Sequence, residues 1–280
     1  MDTGLSRNTI DKFYTKPNVS NECVNKWREV INPLMNDIII EPSAGNGSFM
    51  KWIQNMGVDY RCYDIDPGHP DIEMLDFLEW EPSLIDKGGT SYNSIHFIGN
   101  PPFGRQSSMA KQFIKHASKY ADSISFVLPR SFKKESMQKS FPLQFECVYE
   151  CDIPPRSFTV NEFEYDVPCV FQIWERKSTN RVLPKKQKPK GFSFVNKDEN
   201  PHISFRRVGV YAGEISREIE NKSTQSHYFI RFDSFSNELF LSLKTLEYSG
   251  KDHTVGARSI SKPEVITTFN DTVVDYLHTQ

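Results

Sequence analysis

Over the first two thirds of the chain, short apolar runs alternate with longer amphipathic stretches. The apolar runs are continuous and rich in β-branched and aromatic residues, which is typical of strands buried on both faces of a parallel sheet. The amphipathic stretches predict helices. Strands are predicted at 37–40, 60–63, 94–98, 124–128, 145–149 and 167–174, and helices at 49–56 and 107–120. The pattern therefore predicts an α/β fold with a doubly wound, mostly parallel sheet and helices on both of its faces.

After Trp174 the pattern changes. Residues 177–190 are basic, contain Pro and show no apolar period, which indicates a linker. The rest predicts a small β-leaning lobe, with short apolar runs at 192–195, 203–211 and 228–232 and a helix from about Lys262. We therefore expect three parts: a large domain over 1–176, a basic linker over 177–190 and a small lobe over 191–280.

The composition allows a packed core, because 38% of the 280 residues are hydrophobic and 21 are Phe. No apolar run approaches the length of a membrane span, and the N-terminus has no apolar core of the kind that a secretion signal needs. We expect a soluble protein of the cytoplasm or nucleus. The 5 Cys residues form no CxxC pair, so we expect reduced thiols and no metal site.

The net charge of -2 conceals a segregation of charge along the chain. Eleven acidic and three basic residues lie between 35 and 90, whereas eight basic and two acidic residues lie between 101 and 140. Residues 176–190 contain seven basic residues and no acidic one. A cationic small molecule suits the first region, and a phosphate backbone suits the other two.

A glycine-rich turn, Glu-Pro-Ser-Ala-Gly-Asn-Gly-Ser-Phe at 41–49, follows the first strand and opens a helix. Gly45 and Gly47 let the backbone approach a ligand closely at the carboxyl end of the sheet. Met50 occupies the place of the third Gly of a dinucleotide fingerprint, and no phosphate-loop lysine follows. Glu41 and Pro42 precede the turn, and the acid favours an ammonium or sulfonium group over a pyrophosphate.

Acidic residues follow the next strand. Asp64 and Asp66 stand where doubly wound folds hold a ribose diol. Asp76 can accept a hydrogen bond from an adenine amine, and the ring of Phe77 can pack on the base. Together these acids predict a pocket for a cationic adenosine compound, of which S-adenosylmethionine is the common one.

The sequence Asn100-Pro101-Pro102-Phe103 directly follows the strand at 94–98. Consecutive prolines fix the backbone and remove two N–H donors, so this corner presents acceptors: the Asn100 side-chain oxygen and the Pro101 carbonyl. Two acceptors that hold the hydrogens of an exocyclic amine aim its lone pair at a methyl donor. Phe103 can stack on the base.

These motifs, in this order, resemble those of class I S-adenosylmethionine-dependent amino-methyltransferases, especially N6-adenine enzymes. The resemblance covers roughly 11–175 and implies a catalytic domain over 1–176 with a seven-stranded Rossmann-like sheet and an antiparallel last strand. It implies methyl-donor contacts at Tyr14, Thr15, Glu41, Gly45, Asp64 and Asp76, and catalysis at Asn100, Pro101, Pro102 and Phe103. A family aromatic that stacks on the extruded base corresponds best to Phe158, with Phe163 as a competitor. The lobe at 191–280 would serve recognition or an accessory role.

The resemblance favours transfer of a methyl group to adenine N6 in DNA. The same chemistry on RNA is the nearest alternative, and methylation of a protein glutamine is a weaker one. A catalytically silent binding subunit is weaker still, because every motif is intact. We assign phosphate contacts to Arg105, Lys133, Lys134 and the linker lysines 185, 186, 188 and 190, since the target base must leave the duplex or be unpaired.

Overall fold

The computed structural model describes residues 13–84, 91–160, 163–254 and 256–279. Contacts divide the chain into two units, 1–182 and 183–280. The segment 177–190, interpreted as a linker, spans this boundary.

The first unit contains ten strands and four α-helices among its described residues. The strands are β1 (Tyr14–Thr15), β2 (Ile38–Glu41), β3 (Asp59–Asp64), β4 (Glu73–Met74), β5 (Ile95–Gly99), β6 (Ser123–Pro129), β7 (Phe145–Asp152), β8 (Phe158–Val160), β9 (Phe163–Tyr165) and β10 (Cys169–Arg176). The helices are α1 (Pro17–Ile31), α2 (Met50–Ile53), α3 (Ser108–Ala117) and α4 (Glu135–Gln138).

Seven strands form the central sheet in the order β4-β3-β2-β5-β6-β10-β7. The pairs β3–β4, β2–β3, β2–β5 and β5–β6 are parallel, and β10 runs antiparallel to both of its neighbours, β6 and β7. The structure therefore confirms the predicted α/β class, with a mostly parallel seven-stranded sheet.

The central strand β2 shows why the sheet is covered on both faces. Its four residues are all buried. Ile38 and Ile40 belong to one core cluster with residues of α3, and Ile39 belongs to the other with residues of α1. Successive strand residues point to opposite faces, so a continuous apolar run needs a helix layer on each side.

A second, three-stranded sheet has the order β1-β8-β9. Strand β1 pairs antiparallel with β8, with Tyr14 opposite Thr159 and Thr15 opposite Phe158. This sheet joins the N-terminal strand to a hairpin about 145 residues later in the chain. No local sequence pattern therefore indicated the pairing of β1 with β8.

Among its described residues, the second unit has a four-stranded antiparallel sheet in the order β11-β14-β12-β13 and two α-helices. The strands are β11 (Phe192–Val195), β12 (Ile203–Arg206), β13 (Ile215–Ser216) and β14 (His227–Phe232), and the helices are α5 (Asn237–Lys244) and α6 (Lys262–His278). The predicted start of α6 is confirmed: Ser261 and Glu264 form a capping box there. The run predicted at 203–211 is a strand only to Arg206, because the chain turns at Gly209, where φ is +92°.

Residues 177–190 make contacts in both units. In the first unit, Arg181 donates hydrogen bonds to four main-chain carbonyls, those of Gln138, Phe141, Pro142 and Phe145. In the second unit, Asn270 of α6 donates to the Lys188 carbonyl and to Gln187 Oε1, and its own side-chain oxygen accepts from the Lys190 N–H. Both ends of the segment are therefore packed against a folded unit.

No helix in the described ranges combines the length and the apolar character needed to cross a membrane. The five cysteines are free; Cys23, Cys62 and Cys169 are buried, and Cys147 and Cys151 are half-buried.

Candidate active site

A pocket of about 400 Å³ lies at the carboxyl ends of the parallel strands. The chain runs outward from β2 to β3 and then returns to β5 on the other side of β2, and this reversal is where open α/β sheets bind ligands. Most of the predicted cofactor residues line it: Tyr14, Thr15, Glu41, Pro42, Gly45, Asp64, Asp66, Asp76, Phe77 and Asn100, together with Pro102.

Glu41 ends β2 and lines this pocket although it is only 1% exposed. Burial raises the pKa of its carboxyl well above the usual value, and hydrogen bonds from Cys62 and from the Met50 and Phe49 main chain oppose the rise. The Cys62 Sγ lies 3.7 Å from Oε2. A carboxyl buried without a cation is unfavourable when ionised, so a positively charged ligand would stabilise it.

The glycine-rich turn packs against the N-terminal strand. Gly45 has a φ of +55°, and a Cβ at this position would lie 2.9 Å from Cε1 of Tyr14. Its N–H donates to Asp64 Oδ2 at 2.7 Å. Gly47 has a φ of +81° and does not line the pocket, so its importance is in the shape of the turn.

The acids after β3 and β4 hold the backbone around the pocket. Asp64 Oδ1 accepts a hydrogen bond from the Asp66 N–H at 2.8 Å, while its other oxygen holds Gly45. Asp76 Oδ1 accepts from the Leu78 N–H and caps a short 3₁₀ turn. Phe77 is buried and packs against Phe113 of α3, with ring centroids 5.1 Å apart. Most of the Phe77 ring therefore lies in the core, which leaves little of it free to pack on an adenine base as predicted.

Two buried polar atoms at the pocket have no hydrogen-bond partner within the described residues: Thr15 Oγ1 and Asn100 Oδ1. Buried polar atoms are almost always paired, because an unpaired one costs about 1–3 kcal/mol. These atoms are candidates for contacts with a ligand.

The corner at 100–103 begins where β5 ends. The Asn100 Nδ2 donates to the carbonyl oxygen of Phe13 at 3.0 Å, and the Asn100 carbonyl accepts from Ser43 Oγ at 3.2 Å. Gly99 precedes it, and a Cβ there would lie 3.4 Å from Cγ of Glu41. The corner is thus held against both the N-terminal segment and the glycine-rich turn.

Phe103 lies outside the pocket lining. Its carbonyl accepts hydrogen bonds from the Met109 and Ala110 N–H groups and so starts α3, while its ring packs against the core cluster that contains α1. The segment that follows adopts left-handed backbone at Gln106 and Ser107, where φ is +54° and +60°. Arg105 is exposed in this segment.

The burial of Phe158 does not fit the stacking role predicted for it. Phe158 is 1% exposed, belongs to the core cluster and contacts the Phe13 ring edge-on, so no face of its ring is open to a base. Phe163, its competitor, is 73% exposed on β9. The sequence could not distinguish them, because burial depends on packing against distant elements.

The predicted phosphate-binding lysines differ in their surroundings. Lys133 Nζ lies 2.9 Å from Asp152 Oδ2 and 4.0 Å from Glu150 Oε1, so acids already neutralise part of its charge. Lys134 is half-buried at the start of α4. The linker lysines, all exposed, belong to the second unit: 185, 186, 188 and 190.

Several pocket residues were not predicted. Met109 and Phe113 are among them and stand four residues apart on α3. The spacing of these two was a usable signal, since positions i and i+4 share one face of a helix that follows directly on the corner. Ser43, Ala44, Asn46, Ser48, Phe49 and Ile65 also line the pocket.

The fold is similar to solved structures of methyltransferases. A type I restriction-modification methyltransferase subunit from Streptococcus thermophilus has 14% identity and a TM-score of 0.43, over 61% of this chain and 46% of that chain. A tRNA methyltransferase from M. jannaschii has 16% identity and a TM-score of 0.39, over 60% and 52% of the two chains. Magnesium protoporphyrin IX methyltransferase from Synechocystis, with bound SAM, has 12% identity and a TM-score of 0.41, over 57% and 80%. No family model and no curated protein matches the sequence. At this level of similarity, function has to be derived from the site itself.

Proposed function

We propose that this chain transfers a methyl group from S-adenosylmethionine to the N6 amine of adenine in DNA. The observation that carries the proposal is the Asn100 amide: its nitrogen is hydrogen-bonded to Phe13, and its oxygen is buried beside the pocket with no partner among the described residues. An exocyclic amine of a base is a donor that fits this acceptor.

The pocket fits the proposed methyl donor. Its volume of about 400 Å³ lies in the range of small-molecule sites. Glu41 supplies a buried carboxyl whose ionised form a cation would stabilise, Thr15 Oγ1 has no partner within the described ranges, and Asp66 and Asp76 line the pocket as exposed acids. When bound, the donor supplies an electrophilic methyl group. Asp64 and Asp66 would hold its ribose, and Asp76 would accept from its adenine amine.

The corner residues would orient the acceptor amine. Asn100 Oδ1 and the Pro101 carbonyl each accept one hydrogen of the amine, which favours a pyramidal nitrogen whose lone pair points into the pocket. Asn100 Oδ1 is oriented before the reaction by the hydrogen bond from Nδ2 to Phe13, so it stabilises the positive charge that develops on nitrogen without reorganising. Phe13, Met109 and Phe113 line the same pocket and give it apolar walls.

The target base would be held outside the duplex. Extrusion costs a few kcal/mol, and stacking on an aromatic ring recovers about 1–3 kcal/mol. Phe163 offers an exposed ring, and Arg105 offers an exposed cation for phosphate. Phe103, with its half-buried ring, remains a second candidate for stacking.

We also propose a recognition role for the second unit. Its Arg217 lies over two half-buried rings, 4.6 Å from the centroid of Phe240 and 5.5 Å from that of Phe235, and Lys244 lies 5.7 Å from the Phe240 centroid. Cations beside aromatic rings suit a phosphate backbone with unpaired bases. An Arg217→Ala, Lys244→Ala double variant should therefore weaken nucleic-acid binding and reduce its salt dependence, as measured by fluorescence anisotropy.

One assay separates the substrates. The purified full chain is incubated with labelled methyl donor and separate pools of DNA, RNA and protein, and the modified nucleoside or residue is identified by mass spectrometry. We expect label in DNA, on adenine, and none with Asn100→Ala. Label on RNA adenine instead would replace DNA by RNA as substrate, and label on protein glutamine would contradict the nucleic-acid proposal.

A further inference from the structure

The two ends of the Asn100 side chain have the same shape and opposite chemistry. Only the oxygen end can accept a hydrogen from an amine, so the proposed reaction requires that this end faces the substrate. The carbonyl oxygen of Phe13 accepts the hydrogen bond from Nδ2 at 3.0 Å, and Oδ1 is buried beside the pocket without a partner in the part of the chain that the structure describes. A flipped amide would place two oxygens against each other at this contact and is excluded on energetic grounds.

The position of the Phe13 carbonyl is itself fixed by the hairpin β8–β9. The Phe13 ring contacts Tyr165 edge-on with centroids 5.8 Å apart, and Phe158 edge-on at 6.4 Å. The chain that follows Phe13 pairs with β8, and Lys16 beyond it forms an ion pair with Glu164. The main-chain N–H of Lys16 also donates to the Ser157 carbonyl at 2.9 Å.

We propose that Phe13 is a positioning residue: the hairpin residues Phe158 and Tyr165 hold its ring, and its carbonyl oxygen sets the orientation of the Asn100 amide. This inference rests on the proposed function. In this proposal the buried Phe158 supports Phe13 from the core and does not contact the base. It also makes the hairpin that carries the exposed Phe163 part of the support for Asn100, so that target binding and acceptor orientation share one structural element.

If Phe13 orients the side chain at position 100, that side chain has two chemical requirements. The residue there must donate to the Phe13 carbonyl and accept from the substrate at the same time. An amide satisfies both demands at any pH. A carboxylate satisfies only the second and repels the Phe13 oxygen, whereas a neutral carboxylic acid satisfies both, because its O–H can donate.

The first test is the pH profile of Asn100→Asp. At about pH 8 the variant should be on the order of a hundredfold less active than the wild type, the scale of losing a preorganised polar group. Towards about pH 5.5 the ratio of variant to wild-type activity should rise at least tenfold as the acid is neutralised. Asn100→Ala is the control and should stay inactive throughout. An Asn100→Asp enzyme with a pH-independent ratio, or with wild-type activity, would contradict the inference.

The second test requires no turnover. In the full chain labelled with ¹⁵N-asparagine, the Asn100 Nδ2 resonance is assigned by its loss in Asn100→Asp, and its hydrogen exchange is followed by NMR. We expect slow exchange in the wild type and at least tenfold faster exchange in Tyr165→Leu, which lies outside the pocket lining. Tyr211→Leu, an exposed aromatic of the second unit, is the matched control and should leave the exchange unchanged.

The two tests distinguish the inference from the function on which it depends. Rapid exchange of Asn100 in the wild type, or unchanged exchange in Tyr165→Leu, overturns the positioning role even if the enzyme methylates DNA. If exchange is slow in the wild type and faster in Tyr165→Leu, the positioning geometry is supported even when no pool is methylated. In that case only the proposed function fails. In an active enzyme, Tyr165→Leu should lower kcat and leave KM for the methyl donor nearly unchanged.

Discussion

The two ends of strands β2 and β5 both carry buried polar groups, but the groups are satisfied differently. At the amino end, His96 Nδ1 lies 2.8 Å from Ser123 Oγ, and Asp37 Oδ2 accepts from the Leu34 N–H at 2.7 Å and lies 3.4 Å from His96 Nε2. Asp37 Oδ1 lacks a partner there within the described ranges, and so does Nε1 of Trp27, whose ring contacts His96 edge-on. At the carboxyl end, Glu41 is buried, and the described residues that act on its carboxyl include no cation.

The amino end has the features of a structural network, and the carboxyl end has those of a binding site. At the amino end His96, Ser123 and Asp37 pair with one another and do not line the pocket, whereas at the carboxyl end Asn100 Oδ1 and Thr15 Oγ1 line it and have no partner among the described residues. Unpaired buried groups destabilise a fold. The two unpaired atoms that line the pocket are explained if a ligand supplies the missing partners, and four predictions test this difference.

The largest effect is expected at Asn100. Asn100→Ala should reduce turnover on the order of a hundredfold or more, because an acceptor preorganised for the transition state is lost. Binding of the methyl donor, measured by calorimetry, should remain close to that of the wild type. Unimpaired methylation by this variant would remove Asn100 from the mechanism.

The next effect is expected at the glycine-rich turn. Gly45→Ala would bring a Cβ within 2.9 Å of the Tyr14 ring, so it should weaken binding of S-adenosylhomocysteine at least tenfold and remove most of its effect on Tm. Gly57→Ala is the matched control, because Gly57 also has positive φ, at +70°, but has nothing within 4 Å of the added Cβ. Both variants carry similar backbone strain. Equal loss of binding in the two would show that strain, and not the contact with Tyr14, is responsible.

A smaller effect is expected at Glu41, where a substitution should increase the stability of the ligand-free protein. Burial raises the pKa of Glu41 in the folded state, so this group favours folding fully below its unfolded pKa, and that contribution is lost as the pH rises through the raised folded pKa. At about pH 8, Glu41→Gln should therefore raise the Tm of the ligand-free protein, by roughly 2–4 °C for each kcal/mol gained. The same variant should bind S-adenosylmethionine more weakly. A lower Tm would mean that the carboxylate is already well stabilised without a ligand.

The smallest effect is expected at the amino end. Burial lowers the pKa of His96, opposed by its contact with Asp37, so the folded state binds the proton less readily than the unfolded state. Stability is then complete above the unfolded pKa of about 6.5 and falls as the pH drops from there towards the lowered folded pKa. His96→Gln should be less stable near neutral pH but should lose less Tm between about pH 7 and pH 5. A pH dependence identical to the wild type would show that His96 does not titrate in this way.

The sequence predicted the sheet and its carboxyl-end motifs because both have local signals. Continuous apolar runs mark strands buried on two faces, and the ends of parallel strands meet at one edge, so Glu41, Asp64 and Asn100 were expected together. Strand β1 and the hairpin β8–β9 were not predicted as a sheet, since elements of two or three residues have no measurable period.

Helices α1 and α5 were not predicted, although α1 begins with Pro17 and carries an apolar stripe at Val19, Cys23, Val24 and Trp27, both of which are local signals of a helix. Phe158 packs against Phe13, which lies 145 positions earlier in the chain, and the hydrogen bond from Asn100 to Phe13 spans 87 positions. Such contacts are decided by tertiary packing and could not be predicted from one sequence.

The most direct measurement of the central claim is mass spectrometry of the nucleosides from DNA that has been incubated with a trideuteromethyl donor. The wild type should produce N6-methyl-2′-deoxyadenosine that carries the deuterated methyl group, and Asn100→Ala with intact donor binding should not. Deuterated methyl on a cytosine, or on a ring nitrogen of adenine, would contradict the assignment of Asn100 Oδ1 as the acceptor for an exocyclic adenine amine.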